Sequence, residues 1–180
     1  YILLSQLQGK TVEGSTISAL AEWMPYTSVS IAKGVQNLED LSLVASKKKP
    51  DGTKVIAFTK SGRDLWNAAK PFMASPIKKT VFCDVLPSGK YPAAGISALS
   101  SFSNLADDDT PTVAVYAGRF KEVDFGGVNG FDGRFKVEVW KYPPIGEDAV
   151  DKLSLYLSLE EDQDPRVHKE VELMIESIWK

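Results

Sequence analysis

Lysines form the densest group of chemically useful side chains in this sequence. Lys47, Lys48 and Lys49 are consecutive, and Lys54 follows just after Pro50-Asp51-Gly52. Ammonium groups placed so close together attract a polyanion, and each phosphate that they neutralise releases condensed counterions. We therefore expect this segment to contact the phosphates of a nucleic acid.

A second group of polar residues precedes the lysines. It contains small hydroxyls, one cation and one amide: Thr27, Ser28, Ser30, Lys33 and Asn37. Side chains of these types reach phosphates and base edges in the major groove of duplex DNA. The two groups together are the predicted DNA-binding residues.

The sequence offers little for catalysis. Cys83 is the only cysteine and His168 the only histidine, which excludes an internal disulfide, a thiolate zinc site and most histidine-dependent centres. Ser97 has no histidine near it in sequence and no lysine at Ser-x-x-Lys spacing, so no nucleophile is paired with a base. The acidic runs 107–109 and 160–162 lack the spacing of a calcium loop, and the glycines at 126, 127, 130 and 133 are not in phosphate-loop order. We expect no enzyme, no cofactor and no metal site.

Two short helices must position the polar group. Ser15 or Thr16 can cap a first helix, in which Ile17, Leu20, Ala21 and Met24 recur at helical spacing. Pro25-Tyr26 ends this helix. Thr27 can cap a second helix that runs to about Leu41, with Ile31, Val35 and Leu38 as its buried stripe. Two amphipathic helices joined by a tight turn predict a helix-turn-helix unit.

The lysines belong to a predicted hairpin. Residues 43–45 and 54–59 are apolar or β-branched runs on either side of the Pro50-Asp51-Gly52 turn. Ser61-Gly62-Arg63-Asp64 then has the pattern of a capping box before a helix with Leu65, Trp66, Ala69 and Phe72. A basic hairpin directly after a helix-turn-helix predicts a winged helix-turn-helix domain.

Charge and proline content divide the chain. Residues 1–75 hold nine Lys and Arg against six Asp and Glu, whereas residues 76–180 hold 12 against 18. Pro71 and Pro76 flank the expected boundary. We predict a DNA-binding domain over 1–75 and a small α+β domain over 76–180, which binds a partner or regulates. The fold class is therefore α+β.

The second half alternates predicted strands and helices. Strands are expected over 80–85, 112–117 and around Phe135, Val137 and Val139. Helices are expected from Ile96 to Leu105 and over 149–159 and 165–179.

No apolar run is long enough for a membrane span, so we expect no membrane contact. The single cysteine fits a cytoplasmic protein. The chain begins with Tyr1 instead of Met, so we expect that native residues precede it.

The first half resembles the MarR-type winged-helix regulators. The resemblance lies in Thr27-Ser28-Val29-Ser30, residues 38–44, Asp51-Gly52-Thr53-Lys54 and residues 58–63. It implies a DNA-binding transcriptional regulator. Ser42 stands where the family has the glycine that ends the recognition helix, and the hairpin lacks the family's Asp-x-Arg arginine.

The second half resembles the C-terminal half of AbiEi-type antitoxin-like regulators. The matching stretches are 94–100, 110–112, 139–143, 150–159, Asp164-Pro165-Arg166-Val167 and Trp179. The resemblance implies a repressor that also neutralises a nucleotidyltransferase-like toxin. The alternative is a small-molecule-sensing, MarR-like repressor with an effector pocket in this half, lined by Trp140 and Tyr142. The sequence also leaves open whether the chain is a homodimer.

Overall fold

Helices and strands are mixed along the whole chain in the computed structural model, which describes residues 1–180 and confirms the α+β class. The chain divides into two compact units, Tyr1–Met73 and Ala74–Lys180. The division lies close to the boundary expected after residue 75. No helix combines the length and the apolar composition that a membrane span requires.

The first unit contains four α-helices and one hairpin. Its elements are α1 Ile2–Leu7, α2 Ile17–Ala21, α3 Ser28–Asp40, β1 Val44–Lys48, β2 Lys54–Phe58, α4 Gly62–Ala69 and a 3₁₀ turn at Lys70–Phe72. Thr16 caps α2, because its side chain accepts a hydrogen bond from the backbone N–H of Ala19 at 3.1 Å. Of the two predicted caps for this helix, the structure therefore uses Thr16.

The core of the first unit joins α2, α3 and the hairpin. Leu20 and Met24 pack with Ile31 and Val35 of α3, together with Val44 and Ile56 of the hairpin. A second cluster contains Leu3, Leu43, Leu65 and Ala69. Helix α1 was not predicted from the sequence. It supplies buried Ile2, Leu3 and Leu4, and it lies so close to α3 that a Cβ on Gly34 would meet Ile2 Cδ1 at 3.0 Å.

Two expectations for α4 are wrong. Ser61 occupies the N-cap position, but its side chain makes no capping hydrogen bond, and Gly62 has a φ of +50°. The predicted capping box is therefore absent. The helix ends at Ala69, and Phe72 in the following 3₁₀ turn is 63% exposed, so it is not part of the buried stripe.

The second unit is a three-stranded sheet with four helices. Its elements are β3 Ile77–Cys83, α5 Gly95–Phe102, β4 Thr112–Tyr116, α6 Ala117–Glu122, β5 Phe135–Trp140, α7 Lys152–Leu159 and α8 Pro165–Ile178. The strand order is β3-β5-β4, with β3 antiparallel and β4 parallel to β5. The three predicted strands are confirmed. Helix α6 was not predicted, α5 ends before Leu105, and α7 begins at Lys152 instead of Ala149.

Candidate nucleic-acid interface

Helix α3 begins at a residue that was predicted to contact DNA. Thr27 is its N-cap, and the Thr27 Oγ1 accepts a hydrogen bond from the Ser30 backbone N–H at 3.2 Å. The hydroxyls of Thr27 and Ser30 also lie 3.0 Å apart and share a hydrogen bond. The predicted cap is confirmed. Both hydroxyls therefore already stabilise the first turn of the helix, although both residues are exposed.

One face of α3 is exposed along its whole length. Lys33 and Asn37 follow Val29 at intervals of four residues, which aligns the three side chains on a helix. All three are exposed, while Ile31 and Val35 on the opposite face are buried. We call Val29, Lys33 and Asn37 the exposed stripe. Ser28 is also exposed, but its position places it towards the side of the helix and away from this stripe.

Two residues of this surface were missed from the sequence. Val29 is 80% exposed at the start of the stripe. Gln36 is also exposed, and its Nε2 donates a hydrogen bond of 3.0 Å to Asp40 Oδ1. The four-residue spacing from Val29 to Lys33 was the available signal. Residue type alone does not indicate Val29, because an apolar side chain does not carry the chemistry of phosphate or base-edge contact.

The end of α3 is fixed by backbone hydrogen bonds. The Ser42 N–H donates to the Glu39 carbonyl at 2.8 Å, and the Leu43 N–H donates to the Leu38 carbonyl at 2.9 Å. This pair of bonds is a Schellman motif, which requires a left-handed residue at Ser42. Ser42 has a φ of +58° and is the one residue other than glycine with positive φ. The strained residue is therefore the one that stands where the MarR-type family has a glycine.

The hairpin follows α3 without a flexible linker. Val44 begins β1 two residues after the left-handed Ser42, and the Thr59 Oγ1 donates to the Ser42 carbonyl at 2.8 Å. Ser46 on β1 donates a hydrogen bond to the Glu39 carboxylate of α3. The helix and the hairpin are thus held in one arrangement by contacts at both sides of the connection.

The hairpin register separates the lysines. Lys48 lies directly opposite Lys54, so both side chains are on one face of the hairpin. Lys47 is opposite Val55 and therefore on the other face. Lys49 lies in the turn, where the Lys49 N–H donates to the Thr53 carbonyl at 2.9 Å. The predicted hairpin is confirmed, and its lysines point in several directions around the tip.

The hairpin tip has an uncompensated positive charge. None of its lysines, nor Lys33 of α3, forms a salt bridge with a carboxylate. Asp51 is the one acidic residue of the hairpin, and it stabilises the turn without forming a salt bridge to a lysine. Its Oδ1 accepts a hydrogen bond from the Thr53 backbone N–H at 2.9 Å. This backbone hydrogen bond is the main cause that lowers the pKa of Asp51, with Lys49 contributing less. The like charges of Lys48 and Lys54 face each other at a cost in stability.

Glu138 and Ser97, two buried polar residues of the second unit, have structural partners. Glu138 on β5 is 2% exposed, and its Oε2 accepts a hydrogen bond from Trp140 Nε1 at 3.0 Å. Burial raises the pKa of Glu138, and the hydrogen bond from Trp140 opposes that rise. The Ser97 Oγ accepts the Thr112 backbone N–H at 2.9 Å, which orders the start of β4. No three His, Cys, Asp or Glu side chains converge as they would around a metal ion.

The expectation that Trp140 lines an effector pocket is wrong. Trp140 has no exposed surface, because it lies in the core against Tyr142 with ring centroids 5.8 Å apart. Tyr142 donates its hydroxyl to Ser154 at 3.1 Å. A groove of about 390 Å³ lies elsewhere in this unit. Its lining includes Tyr91, Tyr116, Arg119, Pro143 and Pro144.

Comparisons with protein-family models, with curated protein sequences and with solved structures give no match to this chain. The resemblances to MarR-type and AbiEi-type regulators stay predictions from the residues that carry them.

Proposed function

We propose that this chain is a DNA-binding transcriptional regulator whose first unit is a winged helix-turn-helix domain. One observation carries the proposal: an exposed, capped helix leads directly into a hairpin whose lysines have no carboxylate partners. The like charges of Lys48 and Lys54 face each other across the hairpin and destabilise it. A polyanionic ligand that neutralises both lysines would remove this cost.

In this proposal α3 enters the major groove and the hairpin contacts the phosphates beside it. Lys33 and Asn37 on the exposed stripe reach base edges, whereas Thr27 and Ser30 contact the backbone from the first turn. Ser28 also contacts the backbone. Because Lys47 and Lys48 lie on opposite faces of the hairpin, they meet phosphates on different sides of the wing. The Schellman motif at Ser42 sets the angle between the two elements.

We further propose that the regulator is a repressor of the antitoxin-like kind. The second unit has an excess of six acidic residues over Lys and Arg, so phosphate repels it and leaves the first unit to face the duplex. The same acidic surface suits a basic partner protein, for which the resemblance suggests a nucleotidyltransferase-like toxin. Glu161 and Asp162 lie with His168 around a shallow, open depression of this unit that suits a basic partner surface.

The experiment that tests DNA binding is a salt titration of duplex affinity. A variant with Lys47, Lys48 and Lys49 changed to Ala is expected to bind more weakly and to reduce the slope of log affinity against log salt by about 0.9 for each lost phosphate contact. The matched control changes Lys78, Lys121 and Lys169, three exposed lysines of the second unit, and should leave the slope unchanged. An equal effect in both variants, or no duplex binding by the wild type, would refute the proposal.

A second candidate function is effector sensing through the groove that Tyr91 and Arg119 line. The Arg119 guanidinium lies 5.1 Å from the centre of the Tyr91 ring and forms no salt bridge. A cation beside aromatic and proline surfaces suits a small aromatic carboxylate. Titration of the DNA complex with benzoate tests this function: release of DNA by the wild type but not by Arg119→Gln would support it, and equal behaviour of both would reject it.

A further inference from the structure

An apolar side chain stands alone in the first turn of α3. Val29 is 80% exposed and belongs to neither core cluster of the first unit. Valine is β-branched and is a weaker helix former than Lys, Arg, Gln or Glu. Neither core packing nor helix propensity therefore gives Val29 an advantage in stability at this exposed position.

Val29 lies on the same exposed face of α3 as Lys33 and Asn37. It begins the exposed stripe, one turn before Lys33, and the Thr27 cap orders the turn that holds it. The hydroxyls of Thr27 and Ser30 are already bonded to each other. Val29 is therefore the side chain of this turn that projects without an intramolecular partner on the face shared with Lys33 and Asn37.

We infer that Val29 contacts the 5-methyl group of a thymine and selects an A·T pair at one position of the binding site. The inference rests on the proposed function. In the major groove the thymine methyl is the one apolar group that a base edge presents, and apolar side chains recognise it by direct contact. The flanking positive charge of Lys33 and of the hairpin matches the phosphates on either side of such a base.

The test replaces thymine by uracil, which pairs identically but lacks the methyl group. A preferred duplex is first selected from random DNA with the full-length wild-type protein. Each thymine of that duplex is then changed singly to deoxyuridine, and affinity is measured by fluorescence anisotropy. We expect one replacement per bound chain to weaken wild-type binding by about fourfold, the effect of one buried methyl-sized group.

Variants show whether Val29 makes that contact. Val29→Ala should reduce the difference in affinity between the thymine and uracil duplexes, because it presents less apolar surface to the methyl group. Val85→Ala is the matched control, because Val85 is 70% exposed in the second unit, and it should keep the full wild-type difference. A selected site without thymine, no uracil effect in the wild type, or an unchanged effect in Val29→Ala would overturn the inference and leave the proposed function intact. Failure to select any duplex would instead refute the proposed function itself.

Discussion

At the scale of single residues, two positions carry a cost in stability: Ser42 has a strained backbone conformation and Glu138 is a buried acid. Ser42 adopts the left-handed conformation in the connection between α3 and the hairpin, where glycine is the residue without steric cost. Glu138 is an acid enclosed in the core of the second unit, where it bonds to Trp140. Each position makes a prediction about stability that does not depend on the proposed function.

Ser42→Gly should stabilise the first unit. Removal of the Cβ relieves the cost of a left-handed residue, which we expect to raise the free energy of unfolding by about 1 kcal/mol. Ala32→Gly, in the interior of α3, should lower the free energy of unfolding by a similar amount, about 1 kcal/mol. Urea denaturation of the full chain measures both changes. A loss of stability in Ser42→Gly would show that the serine side chain makes a compensating contact.

Glu138→Gln should stabilise the second unit at neutral pH. Because burial raises the pKa of Glu138 in the folded state, folding favours the protonated form, and stability falls as the pH rises from the ordinary range of glutamate through the raised pKa. Glutamine keeps a carbonyl acceptor for Trp140 Nε1 and cannot ionise. The gain should therefore be present at pH 7 and disappear at acid pH.

The control for this substitution is Glu161→Gln at an exposed position, which should change stability little at either pH. Thermal unfolding at several pH values distinguishes the variants. If Glu138→Gln were less stable than the wild type at pH 7, the charged carboxylate would have a stabilising role that its burial argues against.

At the scale of elements, the hairpin combines a destabilising like-charge pair with a concentrated positive charge. Lys54→Glu would place a carboxylate directly opposite Lys48, where an opposite-charge pair contributes roughly 0.2–1 kcal/mol. We expect the variant to be more stable than the wild type but to bind duplex DNA more weakly. The measurement is unfolding by urea together with duplex affinity at one salt concentration.

Lys78→Glu is the matched control for the hairpin variant. It makes the same change of charge at an exposed residue of β3 in the second unit, and it should leave DNA affinity close to that of the wild type. Unchanged DNA affinity in Lys54→Glu would mean that this face of the hairpin does not meet the duplex.

At the scale of the whole molecule, the two units differ in charge and in proposed partner. Residues 1–73 carry the excess of lysine, and residues 74–180 carry the excess of acid. We predict that residues 74–180 fold when expressed alone, bind no DNA, and bind the product of the adjacent gene, which we propose to be a nucleotidyltransferase-like toxin, with the affinity of the full chain. Circular dichroism, anisotropy with duplex DNA and calorimetry with the purified neighbouring protein measure the three properties.

The fragment experiment also separates the two candidate functions. Retention of duplex by residues 74–180 would contradict the assignment of DNA binding to the first unit. If the full chain does not bind the product of the adjacent gene but releases DNA when benzoate is added, effector sensing would be favoured over the antitoxin-like role.

Local features of this protein were determined by the sequence alone. The cap at Thr27 and the turn at Pro50-Asp51-Gly52 were predictable, the first cap was narrowed to Ser15 or Thr16, and the resemblance marked Ser42 as a position that favours glycine. Each depends on hydrogen bonds or steric limits within a few residues, which the residue types reveal directly. The candidate DNA-binding residues could be selected for the same reason, because their chemistry is visible in their types.

Tertiary structure decided what depends on residues distant in sequence. It placed Lys47 and Lys48 on opposite faces of the hairpin and buried Trp140, which is expected from the sequence to line a pocket. Helix α1 is short and was missed, and the parallel pairing of β4 with β5 joins strands separated by α6. Burial and strand order arise from packing among distant segments, and periodicity within one segment does not contain that information.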